Sequence, residues 1–329
     1  MFGHPTVSRR IGFTLVELLT VVGVIGLLVA LLLPAIGMAR AASQRALCST
    51  RLSQLGVAIQ SYESTYRHFP QGGALGRGYT ASPQSRMLPY LGQEELSNRI
   101  NWERLSDAGM DFSSQANVTA ERTSLSAFLC PSDSAIKTGV NYFACVGRGP
   151  HWQRIAGIDA LVLNDIESIF GKVNKRRVGD VQQGLSHVAA FSERLQGDRE
   201  TAWMDVRRDV LQGSLVAGYQ MNLKPGEPYR LVCQQAQSTA GAWGPHFSEA
   251  GSSWLRPQLG HSAYSHSLTP NSPVMDCGLV ETSVPTGAVS ARSNHSGGVH
   301  VLFADGHVEF VADSVDPDLW LKMATILLQ

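Results

Sequence analysis

An excess of charge of either sign is what this chain most plainly lacks, since 27 Lys and Arg are matched by 27 Asp and Glu. With no net field to draw a polyanion, nucleic acid is not an expected partner. Charged residues make up only 16% of the chain, whereas 32 Gly and 15 Pro point to a turn-rich body. The five cysteines include no C-x-x-C pair, which removes the usual zinc and dithiol signatures. Signatures of catalysis are missing too: there is no G-x-S-x-G elbow, no H-E-x-x-H helix, no P-loop and no dinucleotide fingerprint. No enzymatic activity and no obligatory cofactor are expected.

What is present starts with an apolar run from Phe13 to Met38, broken only by Thr14, Glu17, Thr20 and Pro34. A bilayer-spanning helix needs about 20 such residues, so the run is long enough. A secretory signal peptide has an apolar core of about 7 to 15 residues, so this one is too long for that role, and it carries a carboxylate. Arg9 and Arg10 precede it and place the short leader on the cytoplasmic side, leaving the remaining chain extracytoplasmic. Glu17 would cost roughly 2.5 to 3.5 kcal/mol at the bilayer centre, less near its edge, and therefore needs a partner.

The string Gly12-Phe13-Thr14-Leu15-Val16-Glu17 resembles the processing and assembly signal of type IV prepilins. The resemblance implies cleavage of Gly12-Phe13 by a prepilin peptidase and N-methylation of Phe13. It also implies pairing of Glu17 with a neighbouring subunit's terminal amine, and a helix kink at Pro34. The competing reading is a plain single-pass anchor.

Beyond the membrane run, Cys48, Leu52, Leu55, Ile59, Tyr62 and Tyr66 recur at steps of three and four, one helical face that Pro70 closes. The expected organisation is a leader over 1–12, one helix over 13–66 (transmembrane over 13–38, an amphipathic spine over 39–66), and an extracytoplasmic domain over 67–329. The fold class is α+β and type IV pilin-like: a long N-terminal hydrophobic helix, then a loop-rich, mainly antiparallel β domain. A glycine-rich loop over 72–78 and a short helix from Glu94 to Asn98 come first. Strands are expected at Ala160–Leu163, Val188–Phe191, Ser214–Tyr219 and Arg230–Cys233. Residues 238–298, rich in Gly, Ser, Pro and His, read as long surface loops. Asp305-Gly306 is the preferred pair for a two-residue hairpin turn, which would set Phe303 opposite Val308 and Val301 opposite Phe310. Those four would face the core, with His300, His307 and Glu309 on the other face. Asp316-Pro317-Asp318 then starts a helix carrying Leu319, Trp320, Met323, Ala324 and Leu327.

Nearly the whole chain is also similar to a planctomycete-type family of prepilin-like proteins of unknown function, sometimes labelled solute-binding. Its mark is a carboxy-terminal His, nine residues, then Asp-Gly, matched by His295 and Asp305-Gly306. Further matches are Cys48, His68-Phe69-Pro70, Cys130-Pro131-Ser132-Asp133, Asn141-Tyr142, Glu193, Tyr264, His266, Pro270-Asn271 and Cys277. The family's Asp-Gly-Thr-Ser-Asn-Thr stretch is replaced by Gln183-Gly184-Leu185-Ser186-His187-Val188. On this resemblance Cys48 pairs with Cys130 and Cys233 with Cys277, which leaves Cys145 odd.

Metal binding is the one cofactor question left. His295 with Asp305 offers transition-metal ligands, and pseudopilins as a class hold calcium in carboxy-terminal loops. The preferred reading is structural: Asp305 serves its turn and His295 bonds loop backbone. His246, His261 and His266 read likewise as loop residues. Two functions follow. The first is a membrane-inserted prepilin-like subunit of a pilus-like or type II secretion-like structure, with prepilin peptidase, membrane lipid and other pilin-like subunits as partners. The second is a membrane-tethered protein holding an extracellular solute or polysaccharide, with Trp243 and Trp254 exposed.

Overall fold

A computed structural model describes residues 15–72, 81–106, 112–133, 138–149, 151–155, 158–162, 167–171, 175–213, 216–218, 228–240, 244–279 and 286–327. Gly12, Phe13, Trp243, Leu163 and most of the 72–78 loop lie outside these residues. Helix α1 (Leu15–Tyr66) is a single α-helix with Pro34 inside it. It begins in one compact unit, Met1–Gln44, and continues into a second, Arg45–Gln329.

In the first unit the large apolar side chains from Leu15 to Met38 are exposed all round the helix. In the second, the face read from the sequence is buried: Cys48, Leu52, Leu55 and Ile59 are fully covered and Tyr62 nearly so. Tyr66, the last step of that face, is exposed instead. Tyr66 is the last residue of the helix, and Arg67 turns to φ 60° with its N–H closing on the Glu63 carbonyl at 2.6 Å. Phe69 is the residue that enters the core.

The helix is followed by α2 (Pro83–Arg86), α3 (Glu94–Arg99), α4 (Trp102–Ser106) and α5 (Gln115–Glu121), all short. Strands come next: β1 (Tyr142–Cys145), β2 (His151–Ile155), β3 (Ile158–Val162), β4 (Ala189–Glu193) and β5 (Val210–Leu211). Then come α6 (Arg230–Ala240), β6 (His246–Phe247), β7 (Ala263–Tyr264), β8 (Asp276–Leu279), β9 (Thr286–Ala288), β10 (Gly298–Phe303), β11 (Val308–Ala312) and α7 (Pro317–Lys322). Among the described residues the main sheet runs β11-β10-β4-β1-β7, a smaller one β6-β5-β8-β9, and β2 pairs with β3 alone. Pairing is antiparallel except for β1 with β7 and β5 with β8. The architecture is thus α+β, with a long N-terminal helix and a mainly antiparallel domain.

Several expectations are corrected. Arg230–Cys233 is the first turn of α6, because Val232, Cys233 and Ala236 recur at helical spacing and are buried together. Of the strand expected at Ser214–Tyr219, Val216–Gly218 is a helical turn while Ser214, Leu215 and Tyr219 lie outside the described residues, and a strand precedes it at Val210–Leu211. The presumed surface loops are largely interior: Trp254 is fully buried, packs near Phe128 and donates its indole N–H to the Thr123 carbonyl at 3.1 Å. Ser82 closes the same region with a hydroxyl bond to the Trp254 carbonyl.

The C-terminal hairpin is shifted by one residue from the two-residue reading. Leu302 faces Val308, Val301 faces Glu309 and His300 faces Phe310. The Phe303 N–H donates to the His307 carbonyl and the Gly306 N–H to the Phe303 carbonyl, both at 2.9 Å, with Gly306 at φ 95°. One extra residue in the loop therefore makes a bulged turn, and a one-residue slip exchanges the faces. The expected split into a core face and a polar face also fails for β10. Flanked by β11 and β4, it is buried at every position, His300 included.

This turn sits on the C-terminal half of α1. A Cβ placed on Gly56 would fall 2.8 Å from the Gly306 carbonyl oxygen and 2.9 Å from a Leu302 methyl, so only a bare Cα fits. Gln60 completes the contact by donating to the Ala304 carbonyl at 2.7 Å. Gly56→Ala is expected to destabilise the chain by about 1 to 3 kcal/mol, as overpacking does. Urea denaturation of the full-length protein in detergent checks this against Gly179→Ala, whose added methyl meets nothing within 4 Å. Equal midpoints for the two variants would refute the packing argument.

Candidate functional site

Two histidines and a cystine converge on one buried carboxylate. Glu193 ends β4, and His300 lies opposite it on β10, one step beyond the Val301–Ser192 pair. His295 reaches the same carboxylate from the loop before β10. Glu193 Oε1 accepts from His295 Nε2 and His300 Nδ1, each at 3.1 Å, and Oε2 accepts from the His300 backbone N–H at 2.8 Å. Both imidazoles must carry their proton toward an oxygen that can only accept. All three side chains are buried. Burial alone would raise the Glu193 pKa, but the hydrogen bonds and nearby charge of His295 and His300 outweigh it and hold the carboxyl below its usual range.

A disulfide closes this pocket. Cys48 of α1 is bonded to Cys130, whose Sγ is 3.7 Å from His295 Nε2 and 3.9 Å from Glu193 Oε1. The turn that carries Cys130 is clamped at both ends by Asn141, which accepts from the Cys130 N–H at 3.0 Å and donates to Asp133 Oδ2 at 2.8 Å. Tyr142 and Arg51 add to the seam, donating to the Cys48 and Leu129 carbonyls respectively. The second disulfide joins Cys233 on α6 to Cys277 on β8. Cys145 is a buried free thiol, pushed up to about 12 chiefly by desolvation.

Beside the carboxylate runs an ion network that sequence reasoning missed. Arg194 bridges to Asp276 at 2.9 Å, and Asp276 also takes Arg292 at 3.0 Å and the Ser290 hydroxyl at 2.6 Å. Arg194 donates further to the Leu195, Arg207 and Arg208 carbonyls, and burial draws its pKa down to about 10 against the pull of Asp276. Arg208 pairs with Asp133 at 3.0 Å, which ties the network back to the cysteine turn. The available signal was the pair Glu193-Arg194 continuing an apolar strand, since charges there must be buried and paired.

The motif residues separate in space. His295 belongs to the Glu193 cluster, whereas the Asp305 carboxylate accepts from the His307 ring at 2.6 Å and its backbone N–H at 3.1 Å. The two residues occupy separate hydrogen-bonded positions, and the His295 ring, expected to bond loop backbone, meets the Glu193 carboxylate. The loop histidines are also dispersed. His246 bonds the Gly244 and Glu200 carbonyls, and His261 packs edge-on to Phe247. His266 stacks on Trp320 at 3.6 Å between the Tyr264 hydroxyl and the Trp320 carbonyl. A separate open groove of about 350 Å³ has Phe303, Leu319 and Met323 as its apolar part, with Gln183, His187, Glu309 and Lys322 among its polar lining.

The exposed apolar first half of α1 is long and apolar enough to cross a membrane and fits an anchor, and the disulfides suit the α+β domain to an oxidising compartment. The particular family is narrower. Residues 37–318 match the family described as "Protein of unknown function (DUF1559)", with the short name SBP_bac_10, and the chain belongs to it. Neither a curated protein nor a solved structure shows significant similarity to the chain.

Desolvation lowers His261 and His266 to about 3, in His261 with help from Arg256, so both are neutral in the folded domain. Unfolded, each takes up its proton near pH 6.5, so between pH 6.5 and 3 the unfolded chain binds more protons and stability falls with acid. The expected slope from each histidine approaches about 1.4 kcal/mol per pH unit. Denaturant midpoints measured across this range are expected to drop more shallowly for His266→Gln than for the natural chain. Parallel profiles would show that His266 does not titrate on unfolding.

Proposed function

We propose that this protein is a prepilin-like subunit, cut after Gly12, methylated at Phe13 and held in the membrane by residues 13–38. The observation that carries this reading is the exposed apolar surface of Leu15–Met38, in which Glu17 is the single charged residue. Bare in water that surface is costly, and lipid or neighbouring helices would cover it. Glu17, in the first turn of α1, then meets a neighbour's terminal amine and guides assembly into a pilus-like or type II secretion-like structure. The disulfide-braced domain is displayed outside the cytoplasm.

A second reading is favoured by the solute-binding short name of the family and by the groove beside Phe303. There the same helix is an anchor, and the domain holds a solute or polysaccharide. Co-expression with a prepilin peptidase separates the two. The assembly reading expects a mature N terminus at methylated Phe13, no cleavage in Gly12→Ala, and crosslinked multimers that Glu17→Ala loses. An N terminus elsewhere would sink the processing claim, and processing without multimers would favour the tethered binder.

A further inference from the structure

The Cys48–Cys130 disulfide does not lie among apolar side chains alone. Cys48 Sγ, Cys130 Sγ, a Glu193 carboxylate oxygen and a His295 ring nitrogen all lie within 4.8 Å of one another, and all four residues are buried. We propose that, whenever these two cysteines are thiols, the four side chains form a tetrahedral Zn²⁺ site that fastens α1 to the domain in place of the disulfide.

The geometry suits that ion. Bonds of about 2.0 to 2.3 Å to sulfur, nitrogen and oxygen in a tetrahedron require ligand-to-ligand edges of roughly 3.3 to 3.8 Å. His295 Nε2 to Cys130 Sγ is 3.7 Å, Glu193 Oε1 to Cys130 Sγ is 3.9 Å, and His295 Nε2 to Glu193 Oε1 is 3.1 Å. The two sulfurs must part, and Cys48 Sγ must settle against the other ligands from within 4.8 Å, by rotation of side chains on elements already held together by Arg51, Gln60 and Tyr142. Two thiolates, one imidazole and one carboxylate are donors that zinc accepts, and the two thiolates rule against calcium or magnesium. The supporting layer is present as well. His300 fixes both Glu193 oxygens through its ring and its backbone N–H, and the Ser132 hydroxyl lies 3.0 Å from Cys130 Sγ.

The chemistry balances without an unnamed reagent. In a newly made chain the cysteines are thiols; binding Zn²⁺ forms two Zn–S bonds and one bond each to Glu193 Oε1 and His295 Nε2, releases the two thiol protons, and moves the His295 ring proton from Nε2 to Nδ1. Exchange with an oxidised dithiol later withdraws two electrons from the cysteine sulfurs and forms the Cys48–Cys130 bond. The oxidant's disulfide takes those electrons and two protons to become two thiols, and Zn²⁺ leaves. The helix is fastened before and after oxidation by the same pair of residues.

The test uses the full-length chain in detergent, reduced with a phosphine under argon and titrated with Co²⁺, then Zn²⁺. One Co²⁺ per reduced chain is expected, with the visible bands of tetrahedral thiolate coordination, which Zn²⁺ bleaches. The oxidised chain should show none. Zn²⁺ should slow alkylation of Cys48 and Cys130 at least tenfold, read residue by residue by mass spectrometry, and leave Cys233 and Cys277 unprotected. His295→Ala and Glu193→Gln should each weaken Co²⁺ binding at least tenfold, while Asp305→Asn leaves it unchanged. Absence of the bands, equal alkylation with and without Zn²⁺, or unaltered affinity in His295→Ala overturns the proposal. So does a reduced natural chain that loses its near-ultraviolet circular dichroism and does not regain it on adding Zn²⁺. Cysteine protection in the natural chain needs no variant to fold, so the proposal stays testable if the substitutions misfold.

Discussion

The second half of α1 is held to its domain at two points eight residues apart, and the rest of that unit is arranged around this attachment. At one point Cys48 is covalently bonded to Cys130; at the other Gly56 lets the Gly306 turn approach backbone to backbone. The disulfide spans 82 residues, and closing a loop of that size removes about 4 kcal/mol of unfolded-state entropy in the chain-entropy account. Burial of Leu52, Leu55 and Ile59 between these points makes the helix part of the core.

The polar interior follows from that attachment. Glu193, Arg194, Asp276 and Arg292 are almost wholly buried, and ions so placed gain little net stability even when perfectly paired. Removing one partner is another matter, because it strands the other without water, at a cost of about 3 to 5 kcal/mol. Such a network therefore tolerates few alternative arrangements of the strands that bear it. Its members sit at β4, β8 and the approach to β10, so it links an inner strand of the smaller sheet to the centre of the main one. The carboxylate and histidines beside the disulfide extend the same logic to the helix.

Much of the organisation was legible because it rests on local patterns. The buried face from Cys48 to Tyr62, the short helix at Glu94, the strand near Phe191 and the Asp316 cap each follow from spacing or from one capping side chain. Failures came where burial was decided by distant chain. Arg230–Cys233 reads as a strand in isolation and becomes helical because the face of Val232, Cys233 and Ala236 is buried in a core with Leu211 and Cys277. Trp254 lies in a segment whose composition suggests surface, yet Phe128 and Thr123 receive it. The hairpin register turned on one residue of loop geometry, which Asp305-Gly306 alone does not specify.

By itself the sequence determined the apolar N-terminal helix, its amphipathic continuation and membership of the family matched over residues 37–318, since period and residue type act over a few turns of chain. Only the tertiary structure decided that His295 and Gly306 do different work. His295 joins Glu193 at the helix-to-domain disulfide, and Gly306 fills the notch at Gly56. The physical reason is that a buried carboxylate and a missing Cβ acquire meaning only from the atoms that surround them. Those atoms come from parts of the chain more than a hundred residues away.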